Sequence, residues 1–341
     1  MRVIYFHNGK IYTLDGLVKS VNISGDIAKE ARTCNVSLNN TQDGRKKLYP
    51  FENGGEIRVL YEKSEVFRGI VFQTDINEKG EQSLTAYDSN VYLSKNSDTV
   101  KFTNKKASQI LSELCSKYGI KTGKIADTGY VFKRFIQRGK TLYDIVVLAL
   151  TETRKKNGRR FMLRNTEGAL ELIEVLTKDT RIVIESGRNL TNATFSESIE
   201  DRRTQVKLTG GDEKKPAVTA VVKSDAGIAK YGIMQHYEHN GEVKDANKLN
   251  QLATQLLAEL NKTQQDFDVS ALGDIRIKSG ESIVVRDSVT GLSGAFFVSN
   301  DSHKFEANNV YTMSLKLSRT LDLAEIDGEV DEDAEKPKRG R

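Results

Sequence analysis

The sequence predicts a mainly β protein of the α+β class, in which two antiparallel β regions flank a small α+β module. Apolar residues alternate with polar ones through the first hundred positions and again from about residue 187, which is the period of half-buried strands. Between these regions the apolar residues twice recur at helical spacing. Residues 322–341 hold an acidic block, then a basic end, and little that a core would bury, so we expect a disordered tail.

The first β region is assigned to residues 1–100 on three strand signals. Alternation is clear over residues 34–38, and segment 56–72, EIRVLYEKSEVFRGIVF, predicts two strands around the turn EKSE. Gly69, inside the second of these strands, predicts a bulge or a close backbone approach. SLTAYDS, residues 83–89, predicts another strand, so the region should form a small antiparallel sheet or barrel.

The middle module is assigned to residues 101–186. Segment 103–119, TNKKASQILSELCSKYG, has helical spacing and ends at a glycine. A second helix is predicted to begin at Thr141, with Asp144 three positions on as in a capping box, and to end near Gly158. RRFMLRN and ALELIEV then predict a hairpin across TEG.

The second β region is assigned to residues 187–321. Its early strands are predicted in TQVKLTG, AVTAVVK and YGIMQHYEH, and its one helix carries an apolar face over residues 249–260. Three more strands are predicted at 282–286, 294–299 and 310–317.

The two β regions share a pattern that indicates an internal repeat. A strand, an acidic turn and a second strand that opens at a glycine occur in both, without a gap, when the first is shifted by 225 positions. The superimposed residues are Gly55-Glu56 on Gly280-Glu281, Val59 on Val284, Glu62 on Asp287, Gly69 on Gly294 and Phe72 on Phe297.

Composition limits the partners and the compartment. Lys and Arg outnumber Asp and Glu by 52 to 47, and a net charge of +5 is too small to argue for a nucleic-acid partner. The densest basic run, RKKNGRR at 154–160, favours a solvated helix end, with a phosphate or nucleic-acid contact as the alternative. Cys34 and Cys115 are expected to be small buried hydrophobes rather than a disulfide framework. With no signal peptide or membrane-spanning run, we expect a soluble protein made in a reducing cytoplasm, with no membrane partner.

One stretch resembles a hydrolase site, because TGLSGAFFVSNDSH (290–303) contains Ser293, Asp301 and His303. A nucleophile elbow needs G-x-S-x-G on a strand-to-helix turn, whereas this segment has Ala295 in the last position and predicts strand, turn, strand. Ser293 is therefore interpreted as a turn serine, a whole strand away from the other two residues.

Metal and carboxylate sites find little support. His236 and His239 lie three apart on a predicted strand, where they face opposite ways, so a shared zinc ion is disfavoured. The pairs Glu174 with Glu185 and Asp268 with Asp274 have the residue type of a glycosidase but nothing that separates them from surface acids. The acidic tail residues Asp327, Asp331 and Asp333 lack the EF-hand spacing. We predict no catalytic, cofactor-binding or metal-binding residue, no cofactor, and no enzymatic activity.

The order of several short segments resembles the XkdQ/YqbQ-like family of phage tail proteins, hub components of contractile-tail baseplates, over about residues 20–320. The segments that carry the resemblance are Ser24-Gly25-Asp26, Ala31-Arg32, TAYDSNVYLSKN, ASQILSELCSKYGI, RGKTLYDIVVLAL, ATFSESIEDRRTQV, YGIMQHYE and GLSGAFFVSNDSHKF. Cys34 departs from the larger aliphatic residue expected there, which affects packing rather than the assignment.

The resemblance implies a structural protein with two tube-like antiparallel β-barrel domains, in residues 1–100 and 187–321. Three chains would form a ring of six similar barrels that adapts a six-fold tail tube to a three-fold spike. The implied partners are two further copies of the chain, the tube protein, the central spike, and other baseplate and tape-measure-associated proteins. The implied location is the virion or a phage-tail-like particle such as a bacteriocin, assembled in the host cytoplasm. A tail-associated cell-wall hydrolase and a nucleic-acid-binding protein are the two alternatives.

Overall fold

A computed structural model describes residues 1–175, 182–211 and 216–328, and within them the chain is mainly β, as predicted. The strands are β1 (Arg2–His7), β2 (Lys10–Thr13), β3 (Val18–Asp26), β4 (Thr33–Asn39), β5 (Glu56–Tyr61), β6 (Ser64–Ile76), β7 (Glu81–Tyr87), β8 (Ser97–Lys106), β9 (Thr122–Ile125), β10 (Val131–Thr141), β11 (Phe161–Thr166), β12 (Ala169–Glu174), β13 (Val183–Glu185), β14 (Leu190–Ser198), β15 (Gln205–Gly211), β16 (Pro216–Lys223), β17 (Gln235–Asn240), β18 (Gln264–Leu272), β19 (Ser282–Arg286), β20 (Ser293–Glu306) and β21 (Tyr311–Ser318). The helices are α1 (Tyr92–Lys95), α2 (Ala107–Lys117), α3 (Leu142–Asn157), α4 (Asp225–Tyr231) and α5 (Ala246–Leu260).

The chain divides into two compact units. Unit 1 comprises residues 1–193 together with the described residues from Asp268 on, and unit 2 comprises residues 194–267. The chain enters unit 2 within β14 and leaves it within β18. The four-part division expected from the sequence, with boundaries at 100, 186 and 321, stays a prediction.

One 13-stranded sheet dominates the fold, with the main order β14-β18-β21-β20-β3-β4-β7-β6-β5-β1-β2. β19 also pairs with β20, and β13 pairs with β19. Antiparallel pairing of β3 with β20 therefore joins the strands of the two predicted β regions. Among the described residues no sheet closes into a barrel, because the free edge of β3 is taken by a strand from the other β region. The closed barrels implied by the resemblance are thus not seen within the chain.

The internal repeat is a three-stranded meander that occurs twice. β5-β6-β7 and β19-β20-β21 are both antiparallel and consecutive, and each has a bulge in its middle strand. The bulge follows Val71 in β6 and Val298 in β20. Burial has the same phase in both copies, since the buried positions of β7 correspond one by one to those of β21. These positions are Gln82, Leu84 and Ala86 in the first copy and Met313, Leu315 and Leu317 in the second.

The ungapped shift of 225 positions was wrong. Ile57 pairs with Gly69 in the first copy and Ile283 pairs with Phe296 in the second, so the offsets are 226 in one strand and 227 in the next. A slip of one residue moves a side chain to the other face of a sheet. Accordingly Val59 is fully buried and so is its true counterpart Val285. Val284, the counterpart under the ungapped shift, points away from that core.

The strand glycines also differ from the expectation. A Cβ on Gly69 would lie 2.2 Å from the carbonyl oxygen of Tyr87, so this glycine permits the close backbone approach that the sequence predicted. Gly294 has open space around it and a φ of +120°, a backbone conformation that favours glycine. The two glycines therefore have different roles.

The α+β module lies within unit 1 and confirms both predicted helices. Thr141 Oγ1 accepts a hydrogen bond from the backbone N–H of Asp144 at 3.0 Å, which caps α3. α3 ends at Gly158, whose φ is +74°. α2 and α3 pack with β8, β10, β11 and β12 around one core, whose largest fully buried side chains include Phe132 and Phe135.

Unit 2 is a three-stranded sheet in the order β16-β15-β17 with α5 packed on one face. β15 is antiparallel to β16 and parallel to β17. The core between sheet and helix contains Val206 and Leu208 from β15 and Leu249, Ala253 and Leu257 from α5. Helix α4, whose first turn is capped by the Ser224 side chain, was not predicted from the sequence.

The two cysteines, Cys34 and Cys115, are free and buried, as the sequence predicted. Among the described residues, no helix combines the length and the apolarity that crossing a membrane requires.

Candidate functional site at the junction of the two β regions

A buried ion pair holds the two β regions of unit 1 together. Arg32, between β3 and β4, forms a two-pronged pair with Asp301 of β20: Nη1 donates to Oδ1 at 2.9 Å, and Nη2 donates to Oδ2. The Asp301 side chain is fully buried and that of Arg32 is 15% exposed. Two parallel N–H···O bonds between buried side chains fix orientation as well as position. The pair therefore sets how β3 and β20 meet.

Asp301 and His303 are neighbours on the buried face of β20, and further hydrogen bonds hold both. The backbone N–H of Ser279 donates to Asp301 Oδ1 at 2.6 Å. His303 Nε2 lies 2.8 Å from the Ile277 carbonyl oxygen and 3.2 Å from Asp301 Oδ2. Since a carbonyl only accepts, Nε2 carries a proton, and Nδ1 lies 2.7 Å from the Tyr311 hydroxyl oxygen.

The backbone of Arg32 is held separately, by Asp88 at the end of β7. The Arg32 N–H donates to Asp88 Oδ2 at 3.1 Å, and the Asp88 N–H donates to the Arg32 carbonyl at 3.1 Å. Asp88 Oδ1 also accepts from the N–H of Asn90 at 3.0 Å. Asn165, near the end of β11, donates to Asn90 Oδ1 at 3.0 Å, which ties the α+β module to the same cluster.

Gly25 makes room for the Arg32 side chain. Gly25 of β3 stands opposite Asp301 of β20, so the guanidinium crosses over it to reach the carboxylate. A Cβ at this position would lie 2.1 Å from Arg32 Nη1 and 3.0 Å from Ser279 Oγ. Any residue larger than glycine here would displace the arginine.

The electrostatics of the junction follow from burial and from Arg32. Burial by itself raises the pKa of the Asp301 carboxyl, but the charge and hydrogen bonds of Arg32 outweigh it and hold that pKa below its usual range. Burial raises the pKa of Asp88 to about 7, and backbone hydrogen bonds from Arg32 and Asn90 offset only part of the effect. Asp301 is therefore a permanent anion paired with Arg32, while Asp88 titrates close to neutral pH.

The structure separates the three residues of the hydrolase-like stretch. Ser293 is the exposed first residue of β20 and pairs with Arg286 across the predicted hairpin. Asp301 is eight residues further along the same strand, about 25 Å away at strand rise. The interpretation of Ser293 as a turn serine was wrong by one position, because it is the first residue of β20 and pairs with β19. Asp301 and His303 belong to the junction.

The other candidate residues lie apart from one another. His236 and His239 are on β17; His236 Nε2 is 3.4 Å from Glu238 and His239 Nδ1 is 2.9 Å from Thr209 Oγ1. Among the residues that the structure describes, no group of three His, Cys, Asp or Glu side chains is placed to hold a metal ion.

Most of the nominated carboxylates face arginines. Glu174 accepts two hydrogen bonds from Arg159, at 2.7 and 2.6 Å, which hold its pKa below the usual range. Glu185 and Asp274 form ion pairs, Glu185 with Arg188 and Arg286 and Asp274 with Arg276. Asp268 lies within β18.

The basic run 154–160 covers the C-terminal end of α3, as the favoured interpretation predicted. Its cations meet the segment that follows β21: Arg154 pairs with Glu325, and Lys155 pairs with Asp327 at 2.7 Å. The expected disorder of residues 322–341 was wrong for residues 322–328, where the Ile326 N–H donates to Thr151 Oγ1 and Glu325 pairs with Arg154. Asp331, Asp333 and the rest of the tail, residues 329–341, lie outside the described residues.

The junction brings together the segments on which the sequence resemblance depends. Gly25, Arg32 and Asp88 come from three of them, and Asp301 with His303 comes from a fourth. Arg32 and Asp88 were not predicted from the sequence as functional residues. One signal was available in the sequence: the short segments that carry the family resemblance contain Arg32, Asp88 and His303, although these segments are far apart in the chain.

The fold is that of solved phage tail proteins. The crystal structure of the 43 kDa tail protein of prophage MuSo2 from Shewanella oneidensis superimposes with a TM-score of 0.67 at 17% identity, over 94% of this chain and 98% of that one. An E. coli component of the type VI secretion system, described as structurally similar to the T4 tail proteins gp27 and gp5, superimposes with a TM-score of 0.55 at 7% identity, over 92% of this chain and 76% of that one.

Sequence comparison gives the family. The YQBQ-like family model matches residues 21–318, so the chain belongs to that family, as the resemblance indicated. Protein XkdQ of the phage-like element PBSX of Bacillus subtilis is 30% identical over 304 residues, which cover 89% of this chain and 92% of XkdQ.

Proposed function

We propose that the chain is a structural hub protein of a phage-tail or phage-tail-like baseplate, a homotrimer that adapts a six-fold tail tube to a three-fold spike. The observation that carries this proposal is the repeated meander, β5-β6-β7 and β19-β20-β21, with the same burial phase and the same bulge. Three chains with two such copies each present six similar elements around a three-fold axis.

The buried junction supports the same proposal. A hub that presents two copies as equivalent must hold them at a fixed distance and angle. The Arg32–Asp301 pair and the β3–β20 ladder provide such a rigid link, because a bidentate pair between buried side chains restricts rotation. In this proposal the two β regions, residues 1–100 and 187–321, are tube-like domains whose barrels are completed in the assembled ring.

The proposed partners are the tail tube, the central spike, and other baseplate and tape-measure-associated proteins. Membership of the YQBQ-like family and the likeness to solved tail proteins support a virion or tail-like-particle location after assembly in the host cytoplasm. The proposed role is non-enzymatic.

Light scattering of the purified chain, with negative-stain class averages of the same sample, tests the proposal. We expect three times the mass of one chain and rings with a central hole. A monomer that also fails to form rings when mixed with the tube and spike proteins would refute the hub. Wall hydrolysis that Ser293→Ala abolishes would instead favour a lytic enzyme.

A further inference from the structure

The segment that follows β21 lies across α3 as an extended strap, residues 322–328. It contains no helix or strand, and in the part of the chain that the structure describes none of its backbone groups hydrogen-bonds to another backbone group. Its backbone is tied to the helix through the Ile326 N–H, which donates to Thr151 Oγ1 at 3.3 Å. The strap can therefore leave α3 without breaking a sheet ladder or a helix.

The strap covers side chains of α3 that would otherwise face water. Leu148 and Thr151 are only 3% and 2% exposed, and the strap touches both. Ile326 lies against Thr151, and a Cβ on Gly328 would lie 2.8 Å from Leu148 Cδ1. Ala149, on another side of the helix, packs in the core of the α+β module instead. Part of the burial of α3 thus depends on the strap.

The strap itself is less buried than the side chains that it covers. Every residue from 322 to 328 is half-buried or exposed. Its apolar contacts come from Leu323, which packs near Ile27 and Met162, and from Ile326, which packs against the core of the module. Local opening begins where few apolar contacts are buried and the backbone makes few hydrogen bonds. The strap should therefore open before α3 or the sheet does.

Two exposed ion pairs add to these contacts. Glu325 pairs with Arg154 and Asp327 pairs with Lys155, and the two carboxylate side chains are 45% and 81% exposed. Pairs as exposed as these contribute little, and salt screens them. Lys155 also pairs with Glu152 of its own helix at 2.9 Å, so it keeps a partner when the strap leaves.

We propose that residues 322–328 are a releasable strap, which opens while the rest of the chain stays folded. In the closed state it keeps Leu148 and Thr151 away from water, and in the open state it makes this side of α3 accessible. The ion pairs with Arg154 and Lys155 make the opening depend on salt. This inference is independent of the hub function.

Cysteine labelling of the folded full-length chain tests the strap. Thr151→Cys places a thiol under the strap, and Thr153→Cys is the matched control, because Thr153 is fully buried and lies about 200° round the helix. The native Cys34 and Cys115 are fully buried and should not react. We expect a small maleimide to label Thr151→Cys about tenfold faster than Thr153→Cys, or more. Deletion of residues 322–341 should accelerate only the labelling of Thr151→Cys.

Salt and the carboxylates test the ionic contribution. Labelling of Thr151→Cys should be several-fold faster at about 1 M NaCl than at low salt. Glu325→Gln combined with Asp327→Asn should give the fast rate at low salt and remove the salt dependence. Glu306→Gln, which breaks an exposed pair on β20, should leave the rate unchanged.

Three results would count against the strap. Equal labelling of Thr151→Cys and Thr153→Cys would mean that the strap opens only when the whole protein unfolds, and would overturn the proposal. A Thr151→Cys rate that the deletion leaves unchanged would overturn it too, because the strap would then not be the cover. Labelling that salt leaves unchanged would overturn the role assigned to the ion pairs.

Discussion

Arg32 and Asp301 are 269 positions apart in the chain and form a two-pronged, buried ion pair. The pair lies where β3 of the first β region meets β20 of the second, and its carboxylate is fully buried. The value of such a pair is mainly geometric, because the cost of removing both charges from water offsets much of their attraction. The loss of one partner is costly, since it leaves the other charged and buried.

Asp301→Ala should therefore destabilise the protein strongly. We expect a loss of about 3–5 kcal/mol, because Arg32 would remain buried without its counter-charge. The urea-unfolding midpoint measures the loss. The control is Lys19→Ala, which breaks the exposed pair with Glu81 at 2.7 Å and should cost less than about 1 kcal/mol. Equal losses for the two variants would contradict the role assigned to the junction.

Gly25→Ala should act through Arg32. The new methyl group would lie 2.1 Å from Nη1, and overpacking of this kind costs about 1–3 kcal/mol. Gly16→Ala is the control, because a Cβ there meets nothing within 4 Å. If the clash is the cause, Gly25→Ala should cost less in an Arg32→Met background, and a double-mutant cycle measures that coupling. Additive losses would show that the glycine is needed for another reason.

The pH dependence of stability should report on Asp88. Its pKa is raised to about 7 in the folded protein, while an unfolded aspartate titrates near 3.9, so the folded state binds more protons between about pH 4 and 7. The contribution of Asp88 to stability is therefore highest at about pH 4 and falls as the pH rises to 7, by about 1.4 kcal/mol for each unit of pKa difference.

Asp88→Asn removes this titration. The variant loses hydrogen bonds at every pH, but its stability deficit relative to the wild type should shrink as the pH rises from about 4 to about 8. Chemical unfolding of both proteins across this range measures the deficit. A constant deficit would mean that Asp88 is ionised in the folded state throughout.

Local signals in the sequence located much of the fold. The Thr141 cap and the Gly158 stop placed α3 correctly, because capping depends on residues within one helical turn. Strand β19 was likewise predicted with its bounds, since Ile283, Val284 and Val285 form a short β-branched run. These features need no knowledge of distant residues.

The junction could not be located in the same way. The sequence predicted a strand at 294–299, whereas β20 runs to Glu306. The bulge after Val298 changes which side chains of β20 face the core, so the buried face continues at Asp301 and His303. Because both residues are polar, the sequence pattern there indicates a loop. β3 was missed for a similar reason, because its pairing with β4 is irregular between Val18 and Ser20. Tertiary contacts determine which residue pairs with a buried charge, and the local spacing of apolar residues carries no information about those contacts.

The corrected register of the repeat gives a prediction from two adjacent valines of β19. Val285 is fully buried and corresponds to the fully buried Val59, whereas Val284 is half-buried and on the opposite face. Val→Ala at a buried position loses about 0.8 kcal/mol per methylene equivalent and leaves a cavity, so Val285→Ala and Val59→Ala should each cost about 2 kcal/mol or more.

Val284→Ala is the matched control, with the same change one residue away, and it should cost less than about 1 kcal/mol because little buried apolar area is lost. Urea-unfolding midpoints of the three variants measure the difference. If Val284→Ala were the costly change and Val285→Ala the mild one, the offset of 226 positions would be wrong and the ungapped shift would be right. Matched losses at Val59 and Val285 would mean that the two meanders present equivalent core faces, as the proposed trimeric hub requires.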